Sequence, residues 1–175
     1  MDERVLSALI GAIVVASGWL IGYMRESSGA RRLRRQNSLD LQRALHAEVA
    51  AHVHQLELVN LTEHKADMVA RMRADPDFLV MVPSATHTTI FEALLSDISI
   101  LPGDVVEPVT LYYSQVISVA ALADDIRSER YAMISPDRRA AIYADFIDMK
   151  MESKRMGRIA RDVLAASIKQ GERGQ

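Results

Sequence analysis

The feature that most constrains this chain is a run of twenty residues without a charge, Val5 to Met24, reading VLSALIGAIVVASGWLIGYM. As a helix rising about 1.5 Å per residue it spans about 30 Å, the thickness of the hydrocarbon core of a bilayer. Trp19 and Tyr23 lie toward one end of it, where amphipathic rings favour the headgroup region. A cleaved signal peptide is the competing expectation, and Ser28-Gly29-Ala30 offers small residues for cleavage. The apolar run exceeds the usual length of about 7 to 15 residues, however, and Met1-Asp2-Glu3-Arg4 is a poor positive leader, so the segment reads as an uncleaved anchor.

Orientation follows from the arginines. Arg4 alone precedes the run, while Arg25, Arg31, Arg32, Arg34 and Arg35 follow it closely. Cytoplasmic flanks carry the excess of Lys and Arg, so the C-terminal body is expected in the cytoplasm of a bacterial-type inner membrane, with the short N-terminus outside. The same arginines can meet anionic headgroups, each contributing about 1 kcal/mol near a charged leaflet. Inside the run, Gly18 and Gly22 form a GxxxG, and Ser7, Gly11, Gly18 and Gly22 fall on one helical face. Such a small-residue face lets two membrane helices approach closely, which makes self-association an expectation.

The expected organisation is a short external N-terminus (1–4), a transmembrane helix (5–24), a basic juxtamembrane linker (25–38), a cytoplasmic helical bundle (39–170) and a flexible tail (171–175). From about Leu39 to Arg73 there is neither Gly nor Pro, and Leu41, Leu45, Val49, Val53, Leu56 and Val59 recur at helical spacing. This predicts one long amphipathic helix with a buried stripe. Pro76 ends it, and PDFLVMVP (76–83) reads as an extended crossing segment. The hydroxyls of Ser84 to Thr89 are expected to cap a short helix through Ile90, Phe91, Leu94, Leu95, Ile98 and Leu101. Pro102-Gly103 breaks it. Asp104 with Glu107 looks like a capping box for a helix to about Arg130, apolar nearly all round and therefore expected at the centre. Ser135-Pro136 starts a last helix lined by Ile142, Phe146, Met149, Met156, Ala160 and Leu164 and ending near Gly171. No useful stretch alternates with period two, so the fold class is all-α: an anchor helix, a long helix and a small antiparallel bundle.

Composition removes several chemistries. With no cysteine there is no disulfide, thiolate zinc site, iron–sulfur cluster or cysteine nucleophile. Four histidines, His46, His52, His54 and His64, share the first long helix with Glu48, Glu57, Glu63 and Asp67. A di-metal bundle site needs Glu-x-x-His on two helices, whereas here the order is reversed, as His54-x-x-Glu57 and His64-x-x-Asp67, on one helix only. Solvated surface histidines are the simpler account. Neither G-x-S-x-G, a Walker loop, G-x-G-x-x-G nor H-E-x-x-H occurs, so no catalytic, cofactor or metal residue is expected.

Charge is distributed unevenly. Residues 74–126 hold eight acids and no Lys or Arg, while Lys150, Lys154, Arg158 and Arg161 line up on the last helix. That basic row can pack on acidic helices of its own chain or meet an acidic partner or neighbouring copy. Phe, Trp and Tyr make up 5% of the chain, too few for base stacking, and nucleic acid is not expected. No small-molecule substrate is evident.

The passage IFEALLSDISILPGDVVEPVTLYYSQV, with its Leu-Pro break and paired Tyr112-Tyr113, resembles a pattern in single-pass bacterial membrane proteins with a cytoplasmic helical domain. The resemblance implies topology and an all-α body, and no activity. The expectation from sequence is thus a membrane-anchored protein that acts by binding, as adaptor, scaffold or accessory subunit. The alternatives are a metal-dependent or hydrolytic enzyme built on the histidine-rich helix, and a small phage-encoded or defensive membrane effector.

Overall fold

A computed structural model describes residues 32–83 and 88–173, and every regular element among them is helical. The segment 5–24, with Ser7, Gly11, Gly18 and Gly22, lies outside the described residues, as do Arg25 and Arg31. Helix α1 occupies residues 32–57, so residues 32–38, read from sequence as linker, are helical. Then come α2 (Leu61–Ala74), α3 (Thr89–Leu94) continued by a 3₁₀ turn (Leu95–Ile100), α4 (Gly103–Arg127), the single turn α5 (Glu129–Ala132), and α6 (Pro136–Arg173).

α6, with 38 residues, is about 57 Å long and forms the spine of the bundle. α1 and α2 lie end to end along it, running the opposite way. Arg35 at the start of α1 donates to the Gly171 carbonyl near the end of α6 (3.0 Å), whereas Lys65 of α2 pairs with Asp148 near its beginning (2.7 Å). α4 is also antiparallel to α6. Its first half packs with Ala160 and Leu164, and its last turns, at Ala123 and Ile126, pack with Ala140, Tyr143 and Phe146.

The uninterrupted first helix expected from sequence breaks at residues 58–60. Asn60 is the reason: its side-chain carbonyl accepts the Glu63 amide (3.3 Å) and its amide donates to the Glu63 carboxylate (3.1 Å), a reciprocal cap that starts α2. Leu41, Leu45, Val49 and Val53 are buried as the periodicity predicts, but Val59, within the break, is 45% exposed.

Two other caps differ from expectation. Asp104 and Glu107 make no capping box, because α4 starts at Gly103 with Pro102 as its cap residue; Asp104 sits in the first turn, where a carboxylate complements the helix dipole. α3 starts after Thr88, yet the Thr88 hydroxyl donates to the Glu92 carboxylate (2.6 Å) and leaves the backbone uncapped. The cap comes from another helix. Glu48 of α1 accepts the amides of Ile90 (2.8 Å) and Phe91 (3.1 Å).

α4 is long and apolar enough to cross a membrane by length and composition. Within the bundle one side of it is core, with Val105, Val109, Tyr112, Tyr113, Ala123 and Ile126 buried. It is expected at the centre as the most buried helix, yet one side of it faces out: Leu111 and Ile117 are about half exposed, on the side that carries Thr110, Ser114 and Ser118.

The buried side chains form two cores. One joins α1, α3, the start of α4 and the end of α6; the other joins α2, the end of α4, α5 and the start of α6. Two arginines hold the extended segment 76–83 across the second core. Arg139 of α6 donates to the Pro76 carbonyl, and Arg127 of α4 donates to the Pro83 carbonyl (3.0 Å).

Candidate functional site

Where α1 gives way to α2, the two cores do not quite meet, and a cavity of about 510 Å³ remains between them. That volume falls in the range of small-molecule pockets. Leu56 of α1, Val82 and Pro83 of the extended segment, Val116, Val119, Ala120 and Ala123 of α4, and Phe146 of α6 form apolar walls. Polar groups enter from two sides: His52, Gln55 and Tyr112 from one, Lys150 and Ser153 from the other.

Helical spacing places Phe146, Lys150, Ser153 and Gly157 on one face of α6. At Gly157 the helices come so close that an added Cβ would stand 2.6 Å from Val53 Cγ2 and 2.9 Å from Tyr112 Cε2. This contact packs α6 against the Tyr112 ring, which lines the cavity. The Tyr112 hydroxyl lies 3.0 Å from His52 Nδ1, and burial raises its pKa above the ordinary phenol value.

Lys150 lies against the Phe146 ring, its Nζ 5.5 Å from the centroid. No carboxylate among the described residues stands at ion-pair distance from it. Burial lowers its pKa from the ordinary lysine value, since the partly desolvated ammonium loses hydration that no anion replaces. One turn on, the Ser153 hydroxyl is buried, at 3% exposure, and has no hydrogen-bond partner among the described residues. A helical serine can bond back to the carbonyl four residues earlier. Here that carbonyl, of Met149, accepts the Gln115 amide (3.1 Å).

The basic row predicted on α6 divides. Lys150 turns into the cavity. Arg158 meets Glu57 of α1 (2.6 Å) and Arg161 meets its neighbour Asp162 (2.9 Å). Glu57 is held below the usual carboxylate range, first by its hydrogen bond from Arg158 and then by the charges of Arg158, Arg161 and Lys154. Arg34 and Arg35 border a second depression, with Ser38 and Leu39 of α1 and Gln170 and Gly171 of α6. Arg32 is exposed at the first described turn.

The histidines are not all solvated surface residues. His52 is buried beside Tyr112, and His64 Nε2 lies 2.9 Å from the Tyr143 hydroxyl. Among the described residues no three His, Asp or Glu side chains gather as a metal ligand set. The cavity itself was missed in sequence, because its polar groups come from three helices and share no local motif. Ser153 within an apolar face of α6 is the one signal that could have suggested it. No family model matches this chain, and neither a curated protein nor a solved structure matches it.

Proposed function

We propose that this chain is a single-pass membrane protein, anchored through residues 5–24, whose cytoplasmic helical bundle acts by binding as an adaptor, scaffold or accessory subunit. The uncharged run and the arginines that follow it support anchorage and orientation. Ser7, Gly11, Gly18 and Gly22 are the residues through which anchors would associate, and Arg25, Arg31, Arg32, Arg34 and Arg35 those that would meet anionic headgroups.

The observation that carries binding is the surplus of positive charge on α6. Four cations, Lys150, Lys154, Arg158 and Arg161, share one side of the helix, and only Glu57 and Asp162 answer them at ion-pair distance among the described residues. Lys154, Arg158 and Arg161 form the outward part of this row, suited to an acidic surface of a protein partner or a neighbouring copy. Isolation of the full-length protein from its native membrane in mild detergent, followed by mass spectrometry, tests this. A defined complex or a homo-oligomer, weakened when Lys154, Arg158 and Arg161 are replaced by Ala, is expected; a lone monomer would contradict the reading.

A further inference from the structure

The cavity between the two cores has a chemical character of its own, separate from the partner surface. Its apolar walls are aliphatic except for Phe146, and its polar groups come from α1 (His52, Gln55), α4 (Tyr112) and α6 (Lys150, Ser153). One of these stands without a counter-charge. The half-buried Lys150 ammonium rests on the Phe146 ring, with no carboxylate at ion-pair distance from it among the described residues. A cation set into an otherwise apolar pocket is the kind of convergent polar group that orients a ligand of opposite charge.

From this geometry we infer that the cavity binds an amphipathic carboxylate, a fatty acid being the simplest member of the class. Its acidic head accepts from the Lys150 ammonium, and its apolar body lies along Val116, Val119, Ala120 and Leu56. A neutral acyl compound would fill the walls and leave the ammonium unanswered. A nucleotide-like anion finds no second cation at the cavity wall among the described residues, where Lys150 is the one Lys or Arg that lines it. One positive charge suits one carboxylate.

The test uses the full-length chain in native membrane vesicles and a decanoic acid carrying a photoreactive diazirine on its alkyl chain, with the matching decanol as control. After irradiation, peptides are mapped by mass spectrometry. The acid is expected to modify residues within 112–123 or 146–153, with labelling displaced by unlabelled decanoate and not by decanol. Lys150→Met should cut that labelling at least about tenfold, the loss of one charge-assisted hydrogen bond. Ala120→Phe, which fills the cavity without touching a charge, should remove it, while Lys169→Met on the exposed end of α6 should leave it unchanged. Circular dichroism of each variant separates lost binding from lost fold. Absence of adducts in both peptides of the folded wild type overturns the inference. So does equal labelling by the decanol probe, or labelling that survives both Lys150→Met and Ala120→Phe. Co-isolation of a protein partner depends on the outward row of α6, so failure here is distinguishable from failure of the adaptor reading.

Discussion

The Glu48 carboxylate on α1 accepts the Tyr113 hydroxyl of α4 at 2.5 Å. The same carboxylate caps α3 through the Ile90 and Phe91 amides, and the Phe91 ring stacks on Tyr113 with centroids 3.8 Å apart. One side chain therefore ties three helices together and satisfies three donors. Glu48→Ala should destabilise the bundle by about 2–4 kcal/mol, because buried donors left without an acceptor cost roughly 1–3 kcal/mol each. Tyr113→Phe, which leaves the cap of α3 in place, should cost less, about 1–2 kcal/mol. Urea unfolding of both variants and the double variant measures this. A Glu48→Ala cost below that of Tyr113→Phe would contradict it.

Little of that junction was legible in the sequence, for a physical reason. Periodicity reports which face of a helix is apolar, and Leu41, Leu45, Val49 and Val53 are buried accordingly. A carboxylate that caps a helix 42 residues away leaves no local pattern, and Thr88, the local candidate, spends its hydroxyl on Glu92. The break before α2 was legible, since Asn60 and Glu63 have capping spacing, but the apolar stripe continuing through Leu56 and Val59 masks it. On α6 spacing alone makes Lys150 and Arg158 equivalent. They differ because Arg158 faces Glu57 on α1, whereas α1 has nearly ended where Lys150 turns inward.

Close approach at Gly157 gives a second prediction. Gly157→Ala gains about 1 kcal/mol of helix propensity, but the new methyl would press on Val53 and the Tyr112 ring, both fully buried. Overpacking of this kind costs about 1–3 kcal/mol. The variant should therefore melt below the wild type. A melting temperature above wild type would show that α1 and α6 can part without loss.

Alkaline pH should unfold the protein through its buried phenols. Burial pushes the pKa of Tyr131 up from 10.0 to about 12, against a smaller opposing effect of Arg139, and its hydroxyl donates to the Arg139 carbonyl (2.9 Å). Tyr113 is raised as well, by burial first and by Glu48 second. A phenol with a raised folded-state pKa keeps a proton that the unfolded chain releases. Its stabilisation is thus fully present below pH 10.0 and lost as pH rises toward about 12. Urea midpoints should hold up to about pH 10 and then fall, and Tyr131→Phe should fall less steeply. An equal slope in the variant would remove Tyr131 from the account.

The central claim is that residues 5–24 anchor the chain while α4, although apolar enough to cross a membrane, belongs to the bundle. Alkaline carbonate extraction of membranes carrying either the full-length chain or a chain beginning at residue 32 tests it most directly. The full-length protein should stay in the membrane pellet, and the shortened chain should appear in the supernatant with helical circular dichroism. Retention of the shortened chain in the pellet as an integral protein would make α4 the membrane span and contradict both the anchor and the bundle described around Tyr112 and Tyr113.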